Sequence, residues 1–136
     1  MDGRGALVVV RKVVRGLAGF NALFQVAVGL LSVLSPHLAA AAFKVDIAAP
    51  AMAALIRMFG GLLASTGILS ALIAQNPDRD RGFTTAFIGC LFLNVGADVI
   101  VIFAGELRFD QLAVGMILEL VLGILMSAYA FGRRPA

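Results

Sequence analysis

Three charged residues lie inside long apolar stretches of this sequence: Arg57, Asp98 and Glu119. A charged side chain at the centre of a membrane helix costs about 2.5–3.5 kcal/mol by insertion scales unless it is paired or hydrated. With a rise of ~1.5 Å per residue, each of the three lies ~9–10 Å from the outer end of its apolar stretch. We therefore expect one guanidinium and two carboxyl groups to share a layer, where they could form an ion-pair cluster.

The charges in this layer do not balance, because one arginine faces two acids. Arg57 can hold one carboxylate through two parallel hydrogen bonds. We expect that partner to be Glu119, since Gly115 and Gly123 on either side of it permit close approach of a neighbouring helix. Asp98 would then carry a proton or bind a cation or a donor ligand. The cluster is either a structural device that holds helices together or a site for a ligand, a proton or an ion, and the sequence leaves both open.

Two amides, Gln25 and Asn94, fall nearer the middle of the membrane than the charged layer. They either extend the polar layer inward or bond neighbouring helices. Small or polar residues also recur every four positions along each apolar stretch, and these faces are expected to point into a helical bundle. The faces consist of Asn21, Gln25 and Gly29; Arg57, Gly61 and Ser65; Ala86, Cys90, Asn94 and Asp98; and Gly115, Glu119, Gly123 and Ser127.

Other kinds of site find little support. The single cysteine, Cys90, excludes an internal disulfide, a paired-cysteine redox centre and a cysteine zinc site. His37 has no second histidine, and Ser65 is not in a G-x-S-x-G motif, so we expect it to bond the helix backbone. We therefore expect no metal, no cofactor and no catalytic residue, although enzymatic activity is left open.

The composition places these residues in a membrane protein. Of the 136 residues, 61% are hydrophobic and 14% are charged, and the mean hydropathy is +1.00, which leaves too few polar residues to cover a soluble domain. The net charge of +3 does not indicate nucleic-acid binding, because the basic residues flank apolar runs and form no basic face. The expected partners are the lipid bilayer and other membrane protein subunits.

Four stretches are long enough to cross ~30 Å of hydrocarbon: residues 16–34, 51–74, 83–104 and 112–131. Short polar loops join the last three, so consecutive helices must be antiparallel. The sequence predicts an all-α fold, a four-helix antiparallel integral membrane bundle that forms a single domain over residues 1–136. Residues 35–50 are expected to hold a short helix on the membrane surface; a plain loop or a longer first helix are the alternatives.

Basic residues predict the orientation of the bundle. Two lie in the loops on one side, Lys44 and Arg108, and eight lie on the other: Arg4, Arg11, Lys12, Arg15, Arg79, Arg81, Arg133 and Arg134. Because basic residues are enriched on the cytoplasmic side, both termini are expected to be cytoplasmic, in the inner membrane of a bacterium. A cleaved signal peptide is the alternative for the N-terminal stretch, but this stretch is longer than usual and carries Asn21 and Gln25.

Two motifs carry a family resemblance. Arg57, Gly60 and Gly61 form an R-x-x-G-G pattern, and Glu119, Leu120 and Gly123 form an E-L-x-x-G pattern. Over residues 51–131 the sequence resembles the DoxX-like small four-helix membrane proteins, closest to the uncharacterised type called domain of unknown function 4345. The resemblance implies a four-helix inner-membrane bundle, in some members an accessory partner of oxidoreductases or other membrane systems. It transfers no catalytic residue.

Three functions remain in competition. The first is an accessory or assembly protein of the inner membrane, which fits the small extramembrane mass. The second is a small transporter or ligand-binding bundle in which Arg57, Asp98 and Glu119 line a cavity. The third is a membrane enzyme that handles a quinone or a lipid. The sequence disfavours transport of cations, because an Arg57 beside the acids would repel a cationic substrate.

Overall fold

A computed structural model describes residues 3–47, 50–78, 81–103, 105 and 107–132. The described chain folds into five α-helices: α1 Gly3–Leu34, α2 Pro36–Ala42, α3 Pro50–Gln75, α4 Arg81–Phe103 and α5 Phe109–Gly132. Four of the described segments are long and apolar enough to cross a membrane: Val8–Leu34, Met52–Gln75, Arg81–Phe103 and Phe109–Gly132. The predicted all-α membrane bundle with four spanning helices is confirmed.

The first helix begins earlier than predicted, at Gly3 and not at residue 16. Arg11, Lys12 and Arg15 lower the hydropathy of this segment, but arginine and lysine favour helix, so they end the apolar run without ending the helix. The short helix expected between the prolines is present as α2, and Pro36 starts it at a position where a missing N–H loses no helical hydrogen bond.

Several residues used in the sequence predictions lie outside the described part of the chain. They are residue 104, which ends the third predicted span, and Arg79, Arg133 and Arg134 of the orientation count, together with the side chain of Arg4.

The long helices pack as two pairs. The most extensive contact joins α1 to α3, the next joins α4 to α5, and α1 and α5 connect the two pairs, whereas α3 and α4 touch at few positions. We call the end where α1 and α4 begin and α3 and α5 finish the terminal end. The opposite end, where α2 lies between α1 and α3, is called the α2 end.

Glycines bring the backbones of α1 and α3 into direct contact. A Cβ atom built on Gly29 would lie 2.6 Å from both the Ala64 nitrogen and the Gly60 carbonyl oxygen, and one on Gly67 would lie 2.9 Å from the Val26 nitrogen. Real Cβ atoms do not come so close to backbone, so these positions require glycine. In a lipid environment such small residues let helices gain close van der Waals contact. Gly60 is also the first glycine of the R-x-x-G-G pattern.

The terminal half of the bundle has a close-packed core. Large side chains from α3, α4 and α5 meet α1 there, and the buried members include Val14, Ala18, Ile73, Phe87, Leu91, Leu122, Met126 and Tyr129. Polar contacts close the same end. Asp78 pairs with Arg11 at 2.7 Å and accepts a 2.6 Å hydrogen bond from the Tyr129 hydroxyl, so the α3–α4 loop is attached to both α1 and α5.

Adjacent glycines provide a direct test of the α1–α3 contact. Gly60→Leu should destabilise the bundle by at least about 2 kcal/mol, in the range for overpacking, because its Cβ would lie 2.5 Å from Ser32 Cβ and 2.7 Å from the Gly29 oxygen. Gly61→Leu is the matched control, since a Cβ there meets nothing within 4 Å. Thermal unfolding in detergent, followed by circular dichroism, should separate the two variants. Equal midpoints would contradict the close contact.

Candidate functional site

A cavity of about 490 Å³ occupies the α2 half of the bundle. Its wall is mostly apolar, with side chains from α1, α3 and α5 that include Phe24, Val28, Phe59, Leu62, Leu63, Leu112 and Val114. Phe59 and Leu62 are 57% and 69% exposed. The helices α3 and α4, which both contribute to the wall, have few contacts with each other.

The floor of the cavity is built around Glu119 on α5, which is only 4% exposed. The Gln25 side-chain amide on α1 donates a hydrogen bond to Glu119 Oε1. Asn94 on α4 donates a second bond to the same oxygen, at 3.2 Å. Three helices therefore converge on one buried carboxyl group.

Asp98 lies one helical turn beyond Asn94 on α4 and lines the same cavity. It is partly buried, and no hydrogen bond or ion pair joins its carboxyl group to another residue of the described chain. Thr66 contributes the remaining polar side chain of the α3 wall, but its hydroxyl donates to the Leu62 carbonyl at 3.0 Å. Ser65 bonds the Gly61 carbonyl in the same way at 2.9 Å, as expected for a hydroxyl within a helix.

The mouth of the cavity at the α2 end carries Lys44, Asp110 and Gln111. The Gln111 side-chain amide donates to the carbonyl oxygens of Phe43 and Lys44, at 2.8 and 3.1 Å. Its own oxygen accepts the Arg108 backbone N–H at 2.6 Å. The loop after α2 is thereby held against the start of α5. From the sequence, Lys44 only predicts orientation, and Asp110 and Gln111 fall in a loop before the fourth span; the polar character of these residues next to the ends of spans was the available signal.

Lys44 adopts a backbone conformation that usually belongs to glycine, with φ of 57°. The preceding helix ends there in a Schellman motif, in which Val45 N–H bonds the Ala40 carbonyl at 2.8 Å and Lys44 N–H bonds the Ala41 carbonyl at 3.1 Å. A left-handed conformation costs a non-glycine residue about 1–2 kcal/mol. A lysine therefore stands at the cavity mouth in spite of a local conformational cost.

The expected ion pair between Arg57 and Glu119 does not form, and this prediction was wrong. Arg57 is exposed, and its Nε donates to the Val33 carbonyl of α1 at 3.3 Å. The ion pairs between described residues are Arg11–Asp78 and Arg108–Asp110. Arg57 does not line the cavity, so the structure places Asp98 and Glu119 in one site and Arg57 outside it.

The layer prediction counted residues from the predicted ends of the spans, and α5 begins at Phe109, before the predicted start at residue 112. Glu119 is therefore ~15 Å from the start of its helix, a depth close to that of Asn94 on α4 and greater than the ~10 Å expected from a start at residue 112. Asp98 lies only ~8 Å from the end of α4. The charged layer and the inner amide layer are thus one site, in which Glu119 belongs with Gln25 and Asn94.

These features define an α-helical membrane protein with an apolar cavity above a polar floor. The chain belongs to the family described as Domain of unknown function (DUF4345), which it matches over residues 13–130. No curated protein matches it, and no solved structure matches it. Within the described residues, no group of three His, Cys, Asp or Glu side chains could hold a metal ion.

The partners of Glu119 give a prediction on stability. Gln25→Leu removes a buried donor to Glu119, a bond to a charged or polar buried group worth about 1–3 kcal/mol. Arg57→Leu removes one exposed bond to a carbonyl and should cost less than about 1 kcal/mol. Thermal unfolding of both variants in the same detergent measures the difference. A larger loss for Arg57→Leu would restore the pairing with Glu119 that the sequence suggested.

Proposed function

We propose that this protein binds an amphiphilic small molecule within the membrane, in the cavity of the α2 half. The observation that carries this proposal is a cavity of about 490 Å³ with apolar walls and with Gln25, Asn94, Asp98 and Glu119 at its inner part. Ligand sites in proteins commonly have this volume, mostly apolar walls and a few convergent polar groups. If these polar residues only held the helices together, we would expect them to be packed against each other without a cavity beside them.

The chemistry of the cavity changes along its length. Phe59 and Leu62 line it and are exposed, which suits contact with an apolar chain from the bilayer. The carboxyl and amide groups of the floor lie deeper, where a polar head group could exchange its hydration for hydrogen bonds to protein. Lys44 and Asp110 lie at the α2 end, the end nearer water.

An accessory or assembly role, as in some DoxX-like proteins, is the second proposal. It is supported by long apolar faces on α3 and α4, where Met58, Leu62 and Leu93 are 69%, 69% and 75% exposed. Lipid or another membrane subunit could cover these faces. Transport and lipid or quinone chemistry would each need the same cavity, so binding in it is the property that these functions share.

The proposed location is the inner membrane of a bacterium, with both termini in the cytoplasm. The basic residues support this orientation, since Arg11, Lys12, Arg15 and Arg81 lie toward the terminal end, whereas Lys44 and Arg108 lie at the α2 end. In this orientation the mouth of the cavity faces away from the cytoplasm.

Filling the cavity tests the proposed binding. Native mass spectrometry of the protein released from phosphatidylcholine nanodiscs, titrated with 1-decanol and with decylamine, should show one bound molecule of at least one of these amphiphiles. Gly115 lines the cavity, so Gly115→Phe should abolish the adduct. Gly96→Phe is the matched control, because a Cβ there meets nothing within 4 Å and the residue is absent from the lining. Adducts of equal abundance in both variants, or no adduct in the wild type, would overturn the proposal.

Labelling of introduced cysteines tests the orientation. Cys90 is first replaced by serine, because it is exposed. A membrane-impermeant maleimide added to intact cells should label Asp46→Cys, in the loop after α2, and should leave Asp78→Cys unlabelled until the cells are opened. Labelling of Asp78→Cys from outside would reverse the proposed orientation.

A further inference from the structure

We infer that the amphiphile bound in this cavity is a cation that carries N–H donors, such as a primary alkylammonium. This inference rests on the proposed binding function and adds the chemical class of the ligand. It follows from two properties of the floor: which hydrogen-bonding atoms remain without partners, and the sign of the charges.

Several acceptor atoms of the floor remain without a hydrogen-bond partner in the described chain. The Gln25 and Asn94 amides both donate to Glu119 Oε1. Gln25 is 1% exposed, yet its side-chain oxygen has no hydrogen-bond partner among the described residues. The second oxygen of Glu119 and both oxygens of Asp98 also accept no bond from any described residue.

A buried acceptor without a donor loses its hydration and gains nothing in return. Water could donate hydrogen bonds to these acceptors. The apolar walls favour a ligand whose hydrogen-bond donors are attached to an apolar chain. A primary ammonium group has three N–H donors and no acceptor. It therefore complements a floor that offers the free carboxyl oxygens of Asp98 and Glu119.

The charges of the lining favour a cation as well. Three carboxyl groups line the cavity in the described chain, those of Asp98, Asp110 and Glu119, against one amino group, that of Lys44. Asp110 is paired with Arg108 at 3.0 Å, outside the floor. The backbone carbonyl of Lys44 accepts a hydrogen bond from the Gln111 side chain. Gln111 precedes Glu119 by eight residues on α5, so ~12 Å of helix separates the mouth from the floor.

The objection to a cationic ligand rested on Arg57. A guanidinium beside the two acids would neutralise one of them and repel a second cation. Arg57 instead bonds the Val33 carbonyl on the outside of the α1–α3 pair, so the floor contains carboxyl groups with amide neighbours and no guanidinium from the described chain.

Four amphiphiles of equal chain length separate charge from hydrogen bonding: decylamine, decyltrimethylammonium, 1-decanol and decanoate. Each is titrated by calorimetry into phosphatidylcholine nanodiscs that contain the protein at pH 7, and the signal of empty nanodiscs is subtracted to remove partitioning into lipid. Decylamine should bind with one-to-one stoichiometry and at least ten-fold more tightly than each of the other three. Decyltrimethylammonium carries the charge without a donor, and decanol carries a donor without the charge.

Two variants assign the binding to the floor. Asp98→Asn breaks no hydrogen bond of the described chain, and so should fold normally, and it should weaken decylamine binding at least five-fold. Glu119→Gln should weaken it at least ten-fold. Asp46→Asn is the control, because it removes the same charge from an exposed loop residue that does not line the cavity, and it should leave the affinity unchanged.

The outcomes distinguish this inference from the function on which it rests. Saturable binding of decanol or decanoate as tight as that of decylamine would overturn the cation while leaving amphiphile binding intact. Equal affinity for decyltrimethylammonium would overturn the need for N–H donors. Unchanged decylamine affinity in both Asp98→Asn and Glu119→Gln would exclude the floor as the site of the ammonium group. Absence of saturable binding for all four probes would overturn the proposed function itself.

Discussion

A carboxyl group within a membrane has to find its hydrogen-bond donors inside the protein, and this constraint explains the centre of the bundle. Glu119 receives its donors from Gln25 on α1 and Asn94 on α4. The α1–α3 pair and the α4–α5 pair meet mainly where α1 contacts α5, and the polar group lies at that junction. Hydrogen bonding to one buried oxygen therefore adds to the packing that holds the two pairs together.

The two halves of the bundle differ because helix packing is uneven. Gly29, Gly60 and Gly67 draw α3 against α1 until the backbones touch, whereas no comparable contact draws α3 toward α4. In the terminal half, large side chains such as Phe87 and Met126 fill the space between the helices. In the α2 half the gap between α3 and α4 remains, and the cavity occupies it.

The position of Arg57 decides which charged groups line the cavity. A buried Arg57 beside Glu119 would have formed a neutral ion pair with it and left Asp98 as the one unpaired acid. With Arg57 on the exterior, Glu119 keeps its two amide donors, and Asp98 lines the cavity without a hydrogen-bond partner in the described chain. This arrangement supports the proposal of a ligand that brings hydrogen-bond donors.

The amino-acid sequence by itself determined the membrane class, the four spans and the residues that carry the polar chemistry, and it favoured a short helix between Pro36 and Pro50 without excluding a loop. These follow from hydropathy, proline positions and the cost of burying charge, all of which act along one helix at a time. The partners of each polar group were decided by the tertiary structure. Distance along a helix gives depth within the membrane, but the rotation of each helix about its axis and its choice of neighbour depend on packing between helices. Packing between helices, with the close glycine contacts of α1 and α3 as part of it, therefore decided that Glu119 meets Gln25 and Asn94 while Arg57 bonds Val33 on the exterior.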